Sequence, residues 1–218
     1  MADDAALRTA AADGDLLTVR EAHEQVSASG GAGTPLRTLL DWVENYLMAN
    51  HPDLGRTGAV CPFTKQAARI DTVRLGISQA AAEDEEKAYA LIRDGFAALE
   101  RIPSKPAMRH FRTVIVGFPG CNGEQGVAML KRVQRRLRFH SLSRGKMIGM
   151  MHATSEDPGL WNPDFRPLRS PIPVLAIRHM VEQDAPFAAK HPPLMVFYLM
   201  KFPLAGLKRL WTYMRTGG

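Results

Sequence analysis

Apolar residues recur along this chain with two different periods. Leu36, Leu39, Leu40, Val43 and Leu47 fall at helical spacing and predict an amphipathic helix. Thr34-Pro35 supplies its N-cap and first-turn proline, and His51-Pro52 ends it, because a residue before proline avoids the α region. "TVRLGI" (72–77), "RTVIVGF" (112–118), "KMIGMMH" (146–152) and "PVLAIRHM" (173–180) are alternating or β-branched and predict four strands. Between the first two, "DEEKAYALIRDGFAALERI" sets Ala88, Leu91, Ile92, Phe96 and Leu99 on one helical face. After the glycine turn "PGCNGEQG", Val127, Leu130, Gln134 and Leu137 mark a second long helix. Its other face carries Lys131, Arg132, Arg135, Arg136 and Arg138. From Pro193 the tail is helical in pattern and broken at Pro203, with Leu204, Leu207, Leu210, Trp211 and Met214 in its second half.

This order implies an α+β two-layer sandwich: a roughly four-stranded, ferredoxin-like sheet with helices on one face and a C-terminal covering helix. Residues 1–33, rich in Ala, Gly, Ser and Asp, are expected to form a flexible N-terminal segment with a short helix near Leu16–Val26. Residues 34–192 make the α+β domain, and 193–218 the C-terminal apolar and amphipathic helix. Strands three and four are separated by a Pro- and Asp-rich loop of about twenty residues, a length that is uncommon in compact domains and often functional.

Composition narrows the class without naming a reaction. The 218 residues are 45% hydrophobic and 23% charged, enough apolar material for a core. The net charge of +6 suits an anionic small molecule as well as it suits any polymer. The basic helix face lacks interleaved aromatics and reads as solvated surface, so nucleic acid is not expected. Two cysteines exclude a disulfide scaffold or a Cys-rich zinc site. The acidic start "MADDAALRTAAADGD" lacks a signal peptide's basic and apolar regions, and no stretch offers a spanning helix, so a cytoplasmic location is expected. The glycines at 117, 120, 123 and 126 match neither phosphate-binding fingerprint and read as a plain turn.

Two stretches carry candidate chemistry. In "HPDLGRTGAVCPF" (51–63), Cys61 is a candidate nucleophile if a cation lowers its pKa, or a thiolate ligand for haem; a small buried hydrophobe is the plain alternative. In "NPDFRPLRSPIPVLAIRHM" (162–180), prolines stiffen the backbone around Asn162, Arg166, Arg169 and Ser170, and preorganised guanidinium groups suit carboxylate or phosphate. A structural Arg–Asp network through Asp164 or Asp184 is the competing reading. Arg178 alternates with Val174 and Ala176, whereas His179 shares a face with Leu175 and Ile177, so one of them points into an apolar layer and needs a partner. His152 ends the third strand on the face of Ile148 and Met150, where acid–base work or metal ligation is open to it.

These two stretches resemble an uncharacterised bacterial domain family, often found near natural-product biosynthesis genes; the likeness covers about residues 36–190. The order Cys-Pro-Phe, then Arg-Ser-Pro-x-Pro followed by a histidine, is also similar to a second uncharacterised bacterial family. The resemblance implies a shared pocket and no settled chemistry. The leading expectation is an enzyme or accessory enzyme of specialised small-molecule metabolism. Arg166, Arg169 and Arg178, with Asn162, Ser170 and His179, would hold an anionic substrate for a Cys61–His152 pair. A haem- or metal-binding protein using Cys61 or a histidine is the second reading. A non-catalytic protein that docks on a protein partner, a second copy or a membrane through its C-terminal helix is the third.

Overall fold

The computed structural model describes residues 14–30, 33–190 and 192–216. Four strands form one sheet: β1 (Val73–Ile77), β2 (Thr113–Gly117), β3 (Lys146–Met151) and β4 (Val174–His179), in spatial order β1-β2-β4-β3. β1 and β2 are parallel, while β4 inserts antiparallel between β2 and β3. The long helix α4 (Glu85–Arg101) links β1 to β2, and α5 (Glu124–Ser143) links β2 to β3.

The α+β class, the four strands and the C-terminal helices agree with the pattern, but both faces of the sheet are covered. On one face Ile92, Phe96 and Leu99 of α4 and Leu130, Val133 and Leu137 of α5 pack on Val114, Val116, Leu175 and Ile177. On the other, α1 (Val19–Ala28) and α2 (Pro35–Trp42) bring Val26, Leu39 and Leu40 onto Val73, Leu75, Ile115 and Val174. The two-layer, ferredoxin-like expectation fails because β2 and β4 present apolar side chains alternately to both sides. The ladder also contains a parallel pair.

Residues 1–13 of the expected flexible segment lie outside the described residues. The remainder enters the core earlier than residue 34: Leu17 bridges Leu75, and Ala22 and Val26 are buried. Thr18 caps α1 in a reciprocal capping box with Glu21. Thr34 caps α2 as its sequence predicts, with Pro35 in the first turn. That helix continues as a π-helical turn, Val43–Leu47, before the 3₁₀ turn Pro52–Leu54 and the short α3 (Thr64–Arg69).

Beyond β4, a 3₁₀ turn at Glu182–Asp184 leads into α6 (Ala185–Lys190), α7 (Pro192–Lys201) and α8 (Pro203–Thr216). They form a third apolar cluster with Leu142 and Met180, in which Leu194, Tyr198 and Leu210 are buried. The Tyr198 hydroxyl donates to the Glu182 carbonyl at 2.6 Å. Pro203 breaks the tail into two helices that fold onto each other. It is therefore not a single covering helix.

Candidate functional site

The two motif loops, more than a hundred residues apart, do meet. The Asn162 side-chain amide donates to the Asp53 carbonyl at 2.8 Å, and the His51 ring packs on Phe165 at 4.5 Å. Gly55 has φ +77°, and a Cβ there would lie 2.7 Å from the Trp161 carbonyl oxygen, so glycine lets the loops close. The π-helical turn aims Trp42 and Tyr46 at the proline-rich loop: Trp42 Nε1 donates to the Arg169 carbonyl at 3.0 Å, and the Tyr46 hydroxyl to that of Pro167 at 3.2 Å.

The arginines in these loops are engaged within the chain. Arg56 donates to the carbonyls of Thr57, Ala59 and Val60. Arg169 holds Glu156 at 2.7 Å and the Ser155 carbonyl at 3.1 Å, while Arg166 reaches the same Glu156 at 3.3 Å. Hydrogen bonds from Arg169 and then Arg166 keep the Glu156 carboxyl below the ordinary carboxylate range. Ser170 donates to the Ile172 carbonyl at 2.6 Å. The prolines thus hold a loop whose charges are turned on one another.

Cys61 and His152 do not come together. His152 follows Met151, which pairs with Val174, whereas Arg178 lies four residues further along β4, ~13 Å at strand rise. Cys61 belongs to the Arg178 end: its N–H donates to the Leu47 carbonyl at 2.9 Å, and Phe63, two residues on, has its ring 5.9 Å from the Arg178 guanidinium. The faces differ as well. Cys61 packs in the α2-side cluster, but His152 has the strand parity of Met150, which packs under α5. His152 is buried, takes a hydrogen bond with Thr154 at 3.1 Å, and is lowered in pKa by burial first and by Lys131 second. Among the described residues, no three His, Cys, Asp or Glu side chains converge as a metal site.

Arg178 and His179 point to opposite faces of the sheet, and each solves the cost of an apolar layer differently. Arg178 makes a two-pronged ion pair with buried Asp184, whose carboxylate also accepts the Val181 N–H at 2.8 Å. This is the structural Arg–Asp alternative. His179 stays uncharged: burial pushes it down to about 4, with Lys201, Lys146 and Arg112 opposing the pull of Glu100. Its Nε2 is shut off from solvent without a hydrogen-bond partner.

Around His179 lies a cluster that the sequence pattern does not single out. Lys146, its cross-strand neighbour, is buried and pairs with Glu100 at 2.7 Å; Arg112 reaches the same carboxylate at 3.4 Å. Lys201, at the end of α7, donates to the carbonyls of Gly145 and Met180 at 2.8 and 2.9 Å. A surface depression here is lined by His179, Lys201, Phe202, Glu182, and Arg109 and His110 of the 3₁₀ turn Pro106–Phe111. The one available signal was the lysine opening strand three, a cation placed where a buried strand begins.

The sequence model of one family, a domain of unknown function designated DUF6875, matches residues 36–210. The chain belongs to the DUF6875 family. No curated protein and no solved structure matches it. The DUF6875 match runs from the first turn of α2 into α8, so it takes in the sheet, α6, α7 and the first half of α8.

The α7–α8 hairpin carries an exposed apolar stripe. On α8, Leu204, Leu207, Trp211 and Met214 recur at i, i+3, i+7 and i+10, and they are 84%, 59%, 56% and 67% exposed. Met200 and Val196 of α7 are also exposed, as is Phe139 of α5, whose ring meets Phe197 edge-on at 5.7 Å. Lys208 and Arg215 lie one turn after Leu204 and Trp211 at the edge of the stripe, and the Arg215 guanidinium sits 4.4 Å from the Trp211 ring centre. No Asp or Glu occurs after Asp184. Among the described residues, no helix is long and apolar enough to cross a membrane.

Proposed function

We propose that this DUF6875 protein docks on an anionic lipid surface, with α8 lying in the interface and the sheet domain held above it. The observation that carries this reading is the exposed stripe of Leu204, Leu207, Trp211 and Met214, bordered by Lys208 and Arg215 in a segment free of acids. Leucine and tryptophan on one face with lysine and arginine beside them is the composition of an interfacial helix. Each of the four apolar side chains would contribute ~1–2 kcal/mol on burial, and each flanking cation about 1 kcal/mol near an anionic surface. The sum supports reversible docking. A second copy fits this face less well, since a two-fold contact of the stripe would crowd Lys208 and Arg215 of both copies into one interface to which α8 brings no acid.

Vesicle co-sedimentation tests the reading. The protein should bind phosphatidylglycerol-containing vesicles, lose that binding in high salt, and ignore pure phosphatidylcholine. The double substitution Leu207→Glu, Trp211→Glu falls on exposed positions and should abolish binding while leaving the thermal midpoint within a few degrees. No binding to anionic vesicles would refute the proposal. So would a concentration-dependent dimer that the same substitutions abolish without any vesicle binding.

A further inference from the structure

The depression beside His179 lies at the end of β4 opposite the proline-rich loop, and its lining includes none of the four α8 stripe residues. Its charge balance is uneven. Glu100 already holds Lys146 and Arg112, Asp184 holds Arg178, and Glu182 holds Arg209 at 3.1 Å. Arg109 and Lys201 line the depression, and neither has a carboxylate within ion-pair distance among the described residues. His110 and His179 add two imidazoles to the same lining. From this geometry we infer that the depression binds a phosphate group, gripped between Arg109 and Lys201 with His110 as a hydrogen-bonding partner.

The arrangement suits an anion for three reasons. Arg109 is exposed on a short 3₁₀ turn with no competing acid, which leaves its planar fork available for two phosphate oxygens. Lys201 is fixed by two backbone carbonyls, so its ammonium is already positioned and little side-chain entropy is lost on binding. Burial pushes the Lys201 amine down, with Lys146 and Arg178 adding to the effect and only Asp184 and Glu100 opposing. A bound anion would supply the counter-charge that this ammonium lacks. Phosphate fits better than a single carboxylate because two cations face it from different elements.

The phosphate could belong to a soluble small molecule or to a lipid headgroup, since Lys201 and Phe202 form the hinge between α7 and α8. The full chain titrated calorimetrically with inorganic phosphate, at ionic strength matched with chloride, should show saturable binding. Arg109→Ala, at an exposed position, should weaken it at least fivefold without moving the thermal midpoint; Lys201→Met should abolish it. Saturable phosphate binding with vesicle binding indifferent to Arg109→Ala identifies a soluble ligand. Vesicle binding that Arg109→Ala weakens, with inorganic phosphate inert, identifies a headgroup. If neither inorganic phosphate nor phosphatidate vesicles respond to Arg109→Ala, the inference is wrong. Phosphate binding that survives Leu207→Glu, Trp211→Glu separates this site from membrane docking.

Discussion

Replacing Asp184 with alanine is the sharpest test of how the end of the sheet is built. Its carboxylate, 2% exposed, accepts both terminal nitrogens of Arg178 and the Val181 N–H. Asp184→Ala leaves a guanidinium facing an apolar layer without its counter-ion and strands a buried backbone donor. Removing one partner of a buried ion pair costs ~3–5 kcal/mol, because the remaining charge is uncompensated. For a chain of this size each kcal/mol lowers the melting temperature by about 2–4 °C, so a fall of about 6–20 °C is expected. Scanning calorimetry and urea titration measure it. The double substitution Arg178→Met, Asp184→Leu removes both charges and should recover most of the loss. A single-variant loss under about 1 kcal/mol would refute the argument, because a three-quarters-buried arginine without its counter-ion and a stranded Val181 N–H cannot together be that cheap. It would also return Arg178 to the ligand-binding role that its sequence context suggested.

Further outcomes follow from the same geometry. Iodoacetamide should alkylate half-buried Cys61 in the folded protein and reach Cys121 only on denaturation, since burial shields that thiol and pushes it up to about 11; rapid labelling of both would contradict the packing. Gly55→Ala should destabilise by ~1–3 kcal/mol, measured by urea titration, because φ is +77° and the new Cβ meets the Trp161 carbonyl. His179 is held near 4 when folded and returns to its ordinary value near 6.5 when unfolded, so the unfolded chain binds the extra proton between those values. Stability should therefore fall as pH drops from 6.5 towards 4, and His179→Phe should flatten that slope in thermal scans. Lys201→Met should cost ~1 kcal/mol by removing the Met180 carbonyl's side-chain donor, whereas the Gly145 carbonyl keeps the Met180 N–H; urea titration measures it.

Local periodicity carried much of the fold. All four strands and the long helices are visible in the spacing of apolar residues, and the Thr34-Pro35 cap is where its side-chain chemistry places it. Elements without a strong pattern were not legible. The π-helical turn at Val43–Leu47 keeps the same apolar positions as an α-helix, and only the hydrogen bonds of Trp42 and Tyr46 to the distant loop reveal why the extra residue is there. The two motif loops touch at Asn162–Asp53 and His51–Phe165, but the roles of their arginines were not legible. A guanidinium on a stiff loop looks the same in sequence whether it awaits a ligand or is already held by Glu156.

The sequence alone determined which residues of a strand share a side. It put Arg178 with Val174 and Ala176, His179 with Leu175 and Ile177, and His152 with Met150, because successive side chains in a strand must alternate. Only the tertiary structure decided which helices cover each side and which strand ends adjoin. The register of β3 on β4 sets His179 opposite Lys146 and leaves His152 at the other end of the ladder. The packing of the Cys61 loop onto the α2 side places its thiol near Arg178 rather than His152. Alternation is fixed by local backbone sterics. Register and layer order are fixed by contacts between residues tens of positions apart, and no short window of sequence contains both partners.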